Sequence, residues 1–208
     1  MKNSFPSACL IFILGVFLIL TGCASTAPTK FYSLSSEVSP EISYRSASAD
    51  SDFSVGVGPV KIPDYLDRPQ IVTRTGQNEI RLSDFDKWAG SFETDILRVL
   101  AENLSVLLST GHVYTYPWKS YDSFNYRVEV DVTRFEAAAG DVLLKASWKI
   151  SAGKENTLIM MDSGSFSEQA GGTDHSSVVA AKSRALADLS RVIAASINVL
   201  RYQGENNK

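Results

Sequence analysis

Cysteine is the residue type with the most distinctive chemistry in this chain. Cys23 ends the tetrapeptide Leu20-Thr21-Gly22-Cys23, which directly follows an uncharged apolar run from Ala8 to Leu20. A thiol can be alkylated through its sulfur, and the small residues before it leave room for a peptidase to reach the preceding bond. With Lys2 ahead of the run, the segment has the layout of a secretory signal. The run is shorter than the about 20 residues that span a bilayer.

The tetrapeptide resembles the lipobox of bacterial lipoproteins. In that motif the chain is cut before the cysteine, the sulfur takes a diacylglyceryl group and the new amino terminus takes an acyl chain. We therefore expect a signal peptide over residues 1–22, lipidated Cys23 and a tether over residues 23–30, and one domain over residues 31–208. Several acyl chains, at about 0.8 kcal/mol per buried methylene, give durable anchoring. Ala24 stands where an aspartate commonly retains enteric lipoproteins on the inner membrane, so we expect the outer membrane, facing the periplasm. The alternative is a plain secretory signal with a chance cysteine.

Charge and cysteine content narrow the remaining chemistry. The formal net charge is -3, and it becomes -4 when Lys2 leaves with the signal, since the signal holds no acid. A mildly acidic chain without a basic block argues against nucleic acid and against electrostatic binding to anionic lipid. The other cysteine, Cys9, also lies in the signal, so the mature chain has no thiol for a disulfide. We expect no metal and no cofactor other than the covalent lipid on Cys23.

The sequence gives little support for catalysis. The two histidines, His112 and His175, belong to no metal-ligand cluster. Asp174-His175-Ser176 contains triad residue types, but adjacent residues rarely point at one another and the stretch fits a helix cap. Gly56-Val57-Gly58-Pro59 is too short for a phosphate-binding loop. We therefore predict a protein that is not an enzyme.

Apolar spacing predicts the elements that carry these residues. A helix capped by Ser83 or Asp84 has apolar residues at spacings of three and four and stops at Gly111; a second begins at Thr173 or Asp174. The apolar positions of the first helix are Phe85, Trp88, Ala89, Phe92, Ile96, Leu100, Leu104 and Leu107, and those of the second are Val178, Val179, Leu186, Leu189, Ile193, Ile197 and Leu200. Strands are predicted at 31–34, 53–62, 71–75, 79–82, 113–116, 124–133, 142–150 and 158–166, with a loose loop over 35–52.

These elements predict an α+β fold. A single domain would have an antiparallel-rich sheet with both long amphipathic helices packed on one face. The other face would be free for solvent or a partner. Pro59 indicates an edge position or a bulge in its strand. Trp88 is expected in the core, because it lies on the apolar side of the first predicted helix.

The segment from Val57 to Arg74 is the strongest candidate for a binding surface. Its prolines limit its conformational freedom, and tyrosine and arginine are enriched at interface hot spots. In the alternative interpretation this is a crossover loop in which Tyr65 and Leu66 pack on the core and Asp67 and Arg68 form a solvated pair.

This segment also carries a family resemblance. Three stretches, 55–60 with 65–74, Trp88-Ala89 and 98–104, together resemble the PqiC family, and Phe31-Tyr32-Ser33-Leu34 matches the first strand of that family. The longest matching run is Tyr65-Leu66-Asp67-Arg68-Pro69-Gln70-Ile71-Val72-Thr73-Arg74.

The resemblance implies a function. PqiC proteins are auxiliary lipoproteins of ABC-type intermembrane transport systems, whose periplasm-spanning component is built from MCE domains. It implies a non-catalytic docking subunit on the outer membrane, an MCE-domain partner, phospholipid or another hydrophobic cargo, a role in envelope integrity and a possible homo-oligomer. The candidate partner contacts are Tyr65, Leu66, Asp67, Arg68, Gln70 and Arg74. Two alternatives stay open: a carrier that itself holds an acyl chain, and an activator of a cell-wall enzyme.

Overall fold

A computed structural model describes residues 27–39, 53–119, 122–152 and 155–206. The lipobox and most of the predicted loop over 35–52 lie outside these ranges. In chain order the elements are β1 (Lys30–Tyr32), β2 (Val55–Lys61), β3 (Gln70–Arg74), β4 (Ile80–Trp88), α1 (Phe92–Leu107), β5 (Val113–Thr115), β6 (Tyr126–Ala138), β7 (Asp141–Ala152), β8 (Thr157–Gln169) and α2 (His175–Asn206).

The sheet is organised around β6. One edge of β6 pairs with β7, and β7 pairs with β8, in a long antiparallel meander. The other edge carries two wings. The lower wing, β2 with β5, pairs with β6 from Tyr126 to Asp131, whereas the upper wing, β3 with β4 and β1, joins β6 at Ala137 and Ala138. The connection 62–69 between β2 and β3 therefore lies at the fork between the wings, and we call it the fork loop.

The prediction of an antiparallel-rich sheet is wrong in this respect, because the sheet is mixed. β1 with β4, β2 with β5, β2 with β6 and β3 with β6 are all parallel pairs. Local alternation reveals that a segment is a strand but not which distant strand it pairs with. The hairpins that are local in sequence, β3–β4 and the β6–β7–β8 meander, are antiparallel as predicted.

The two helices pack on each other and on the sheet. Alternate residues of β6 and β7 form the buried side, and the predicted inward positions Leu144, Ala146, Trp148 and Ile150 are all buried. Their neighbours Asp131, Lys145 and Lys149 are exposed. The core between sheet and helices therefore follows the predicted period of two.

The predicted start of the first helix is wrong. Residues 80–88 form β4, and α1 begins at Phe92 after the cap Ser91, whose Oγ accepts from the backbone N–H of Thr94 at 3.4 Å. The predicted helix would bury both Phe85 and Trp88. On β4 only Trp88, at the end of the strand, is buried, and Phe85 is exposed. Glu93 and Asp95 in the first turn favour the helix N-terminus that forms here.

Other local predictions are confirmed. The register of β2 against β6 shifts between Val57 and Val60, so Pro59 marks a bulge in an internal strand rather than an edge. Asp174 caps α2, accepting from the backbone N–H of Ser177 at 3.0 Å. Trp88 lies in the core.

Candidate functional site at the fork loop

The fork loop is held in place by its apolar side chain. Leu66 is 2% exposed and belongs to the core, and Tyr65 is half-buried against it. The backbone N–H groups of Leu66 and Arg68 donate to the carbonyls of Pro63 and Leu66, at 2.8 and 2.9 Å. Leu66 was predicted as a partner contact, which would require an exposed side chain, but it is buried and fastens the loop to the core.

A buried charge cluster lies beside Tyr65 of the loop. The carboxylate of Glu136 is fully buried and pairs with Arg74, while the Arg134 Nε lies 2.9 Å from Glu136 Oε1. The hydrogen bond from Arg74 to Glu136 raises the pKa of the Arg74 guanidinium. Burial, together with the negative charge of Glu136, raises the pKa of the Tyr65 hydroxyl. Tyr65 and Arg74 thus both interact with the buried carboxylate of Glu136.

Of the remaining candidates only Asp67 is fully exposed. Arg68 and Gln70 are half-buried, and the Arg68 Nε is buried without a hydrogen-bond partner among the described residues. The structure brings Tyr65 and Arg74 together at Glu136, leaves Asp67 exposed on the anchored loop, and places Arg68 and Gln70 in half-buried positions at the end of the loop and the start of β3. This arrangement is closer to a rigid recognition surface than to a catalytic site. Among the described residues no group of three or more His, Cys, Asp or Glu side chains could hold a metal ion.

Sequence reasoning missed Glu136, Arg134 and Lys182. Lys182 is 1% exposed, and its Nζ donates to the carbonyl oxygen of Phe135. The sequence contains a signal for it, because Lys182 lies four residues from both Val178 and Leu186, on the apolar side of α2. A lysine in that position predicts either a broken apolar side or a buried ammonium group.

A second feature missed from the sequence is an aromatic cluster on the lower wing. Phe124 contacts both Tyr114 and Trp118, with ring centroids 5.4 and 5.3 Å apart, and the Arg127 guanidinium lies 5.6 Å from the Trp118 ring centroid. Phe124 fits here because its ring packs over Gly56, where an added Cβ would meet the Phe124 ring at 2.6 Å. The glycine is required by this close approach and not by any phosphate.

Substituting Gly56 with alanine is expected to displace Phe124 and to lower the free energy of unfolding by about 1–3 kcal/mol through overpacking. Chemical denaturation measures the loss, and the near-ultraviolet circular dichroism of Trp118 reports the displaced ring. Gly76→Ala is the matched control, since a Cβ there meets Glu79 at an ordinary 3.6 Å. Equal stabilities of the two variants would contradict the packing argument.

Comparisons with known proteins identify the family to which this domain belongs. The family of ABC-type transport auxiliary lipoprotein components matches residues 32–194, from β1 into α2. The chain belongs to this family. The family is one of auxiliary components of ABC-type transport, and the PqiC resemblance of the sequence is confirmed.

Solved structures agree on the fold of the auxiliary lipoprotein. A family DUF330 protein from Xanthomonas campestris superposes with a TM-score of 0.69 at 15% identity, covering 86% of this chain and 99% of its own. An uncharacterized protein gives a TM-score of 0.67 at 20% identity, covering 82% of this chain and 99% of its own. At such identities the likeness shows the fold alone. A search of curated proteins finds no match. None of the described helices is both long and apolar enough to cross a membrane.

Proposed function

We propose that this auxiliary lipoprotein is a non-catalytic docking subunit of an MCE-type intermembrane lipid transport system. It would be held on the periplasmic face of the outer membrane by lipidated Cys23 and would receive the outer end of the MCE-domain protein, with phospholipid or another hydrophobic molecule as cargo. The observation that carries the proposal is the family match, which spans nearly the whole described domain. The lipobox supplies the anchor.

The fork loop supports the docking part of the proposal. Asp67 is exposed and Arg68 half-buried on this loop, which Leu66 fastens to the core and Tyr65 to the Glu136 cluster. A pre-ordered loop loses little conformational entropy when a partner binds. Arginine is also among the residue types enriched at interface hot spots. We therefore retain Arg68 as the first contact to test.

Arg68→Glu is expected to reduce recovery of the MCE-domain protein when the lipidated, tagged protein is purified from gently solubilised envelopes. Reversing one charge at an interface places like charges together and weakens binding without unfolding a surface loop. The matched control is Arg191→Glu, because Arg191 is an exposed arginine on α2, remote in sequence from the fork loop. Recovery is measured by mass spectrometry of the co-purified proteins, and the fold of each variant by circular dichroism.

The outcomes separate the competing functions. Loss of the MCE-domain protein with Arg68→Glu alone supports docking at the fork loop, whereas equal recovery from both variants removes Arg68 from the contact set. Recovery of a wall synthase would favour the activator alternative. Co-purified lipid without a protein partner would favour the carrier, which needs an apolar cavity. One described depression on the sheet has a mixed lining, with Lys61, Glu129 and Lys149 beside Trp148 and Met161.

A homo-oligomer remains part of the proposal, because a ring-shaped partner gains avidity from a repeated adaptor. Light scattering of the free and the partner-bound protein tests it. A monomeric mass in both states would exclude it.

A further inference from the structure

The upper wing exposes an apolar surface close to the tether. Phe31 in β1 is 66% exposed, and Phe85 and Leu82 in β4 are 39% and 38% exposed. Phe31 is the register partner of Lys87 in the parallel β1–β4 pair, so the two side chains lie on one face. Phe85, two residues before Lys87, lies on that face by strand alternation. The described fold thus leaves two phenylalanine side chains exposed on the upper wing.

The chain outside the described residues limits what can cover this surface. Lys30, the first residue of β1, follows Cys23 by seven residues. At most about 3.6 Å per residue, the start of β1 lies within roughly 25 Å of the anchored cysteine. Phe31 is the next residue after Lys30. The exposed apolar surface is therefore held within a short reach of the bilayer that carries the lipid.

The charge nearest Phe31 on this face is cationic. Lys87, half-buried, is the register partner of Phe31, whereas Lys30 is the register partner of Asp86 and lies on the other face of β1. Of the carboxylates on β4, Asp84 is exposed, while Asp86 accepts hydrogen bonds from the hydroxyls of Tyr32 and Ser83, at 2.9 and 2.8 Å. Cationic side chains beside exposed aromatic rings are the composition that binds at the headgroup boundary.

The long helix places other exposed apolar residues far from the tether. α2 begins beside β4, where His175 Nε2 lies 3.6 Å from Asp86 Oδ2. Its 32 residues span about 48 Å at 1.5 Å per residue. Tyr202, 69% exposed near its far end, therefore lies well away from β1. A membrane contact at the upper wing thus leaves this far end directed elsewhere.

We propose that Phe31 and Phe85, with Lys87 beside Phe31, form a membrane-contact face. Its occupant is the headgroup region of the bilayer that holds the anchor. The inference rests on the lipid anchor of the proposed function and adds a fixed orientation: the upper wing faces the membrane, and the far end of α2 does not. An anchored domain would otherwise tumble on its tether.

Spin labelling of the full lipidated chain tests this face. The mature chain has no thiol besides Cys23, whose sulfur carries the lipid, so Phe31→Cys and Phe85→Cys each give one labelling position, with Tyr202→Cys as the control. The proteins are reconstituted in vesicles of phosphatidylethanolamine and phosphatidylglycerol. We expect nitroxides at positions 31 and 85 to collide with dissolved oxygen more than with a water-soluble nickel chelate. The label at position 202 should show the opposite preference.

Two readouts keep the inference and the anchor separate. Labels at positions 31 and 85 that are as accessible to the nickel chelate as the label at position 202 would overturn the membrane-contact face. The mass of the purified protein shows independently whether Cys23 carries lipid. Protein without lipid would overturn the anchor of the proposed function, while the label accessibilities would still decide whether this surface enters a bilayer.

Discussion

Replacing Lys182 with methionine is expected to raise the free energy of unfolding near pH 7 by about 1–4 kcal/mol. The Lys182 Nζ is enclosed by three aromatic rings, those of Trp88, Phe92 and Phe135, at 5.8, 5.0 and 4.5 Å from the ring centroids. Burial lowers the pKa of Lys182 to about 7, although the negative charge of Glu136 acts in the opposite direction. Methionine fills a similar volume without a charge to desolvate.

The same substitution is expected to change the pH dependence of stability. The folded pKa of Lys182 lies below its unfolded value, so between about pH 7 and pH 10 the unfolded chain binds a proton that the folded chain does not. Stability then rises with pH, by about 1.4 kcal/mol per pH unit. Below pH 7 both states are protonated and the full cost of burial is present. The methionine variant should lack this rise.

Urea titrations between pH 7.5 and pH 9.5, within the range set by the pKa of Lys182, measure the slope. We stay below pH 10 because the raised pKa values of Tyr32 and Tyr65 reduce stability with rising pH above that point. Lys145→Met, at an exposed position of β7, is the matched control and should keep the slope. Equal slopes for the wild type and Lys182→Met would show that Lys182 does not lose its proton in this range.

Glu136→Gln is expected to lower the free energy of unfolding by about 3 kcal/mol. The carboxylate is fully buried and balances Arg74 and Arg134, whose side chains are only 21% and 31% exposed. Glutamine keeps the size and one acceptor but removes the charge, and breaking a buried pair leaves its partner uncompensated. The matched control is Glu129→Gln on the same strand, which should change stability little.

A double variant separates charge from packing. If the loss arises from the uncompensated guanidinium, Arg74→Gln combined with Glu136→Gln should cost less than the sum of the two single variants. Strict additivity would contradict an interaction between Arg74 and Glu136. Because Arg74 ends the strand that follows the fork loop, the single Glu136→Gln variant should also loosen that loop.

The local elements could be predicted from the sequence because their causes are local. Alternation fixed the buried side of β6 and β7, and the cap at Asp174 marked the start of α2. The start of α1 could not be predicted in this way. The spacing of Phe85 and Trp88 fits a helix as well as a strand. The segment forms a strand because β4 pairs with β1 and β3. The sequence does not reveal this pairing, since β1 is distant in sequence and the β3–β4 register is irregular.

The candidate site was predictable in position but not in role. The residue types of Tyr65, Arg68 and Arg74 marked the segment, yet Tyr65 and Arg74 interact with Glu136, which lies far along the chain. No spacing rule relates residue 136 to residue 74. The burial of the Glu136 carboxylate, between Phe135 and Ala137 in β6, could not be predicted from the sequence, because it depends on residues that the fold brings to it.

The parallel pairing of β1 with β4 also has a mechanical consequence. When the domain is drawn away from the membrane, tension enters through Lys30 and runs along β1, perpendicular to its hydrogen bonds with β4. All of these bonds are then loaded in shear together, whereas tension across a hairpin would open them one at a time. Beyond β1 the load passes to α1, through the Asp95 carboxylate, which accepts from the Leu34 N–H at 2.6 Å, and the Arg98 guanidinium, which donates to the Leu34 carbonyl at 2.7 Å. A strand of three residues is thereby made into a firm point of attachment.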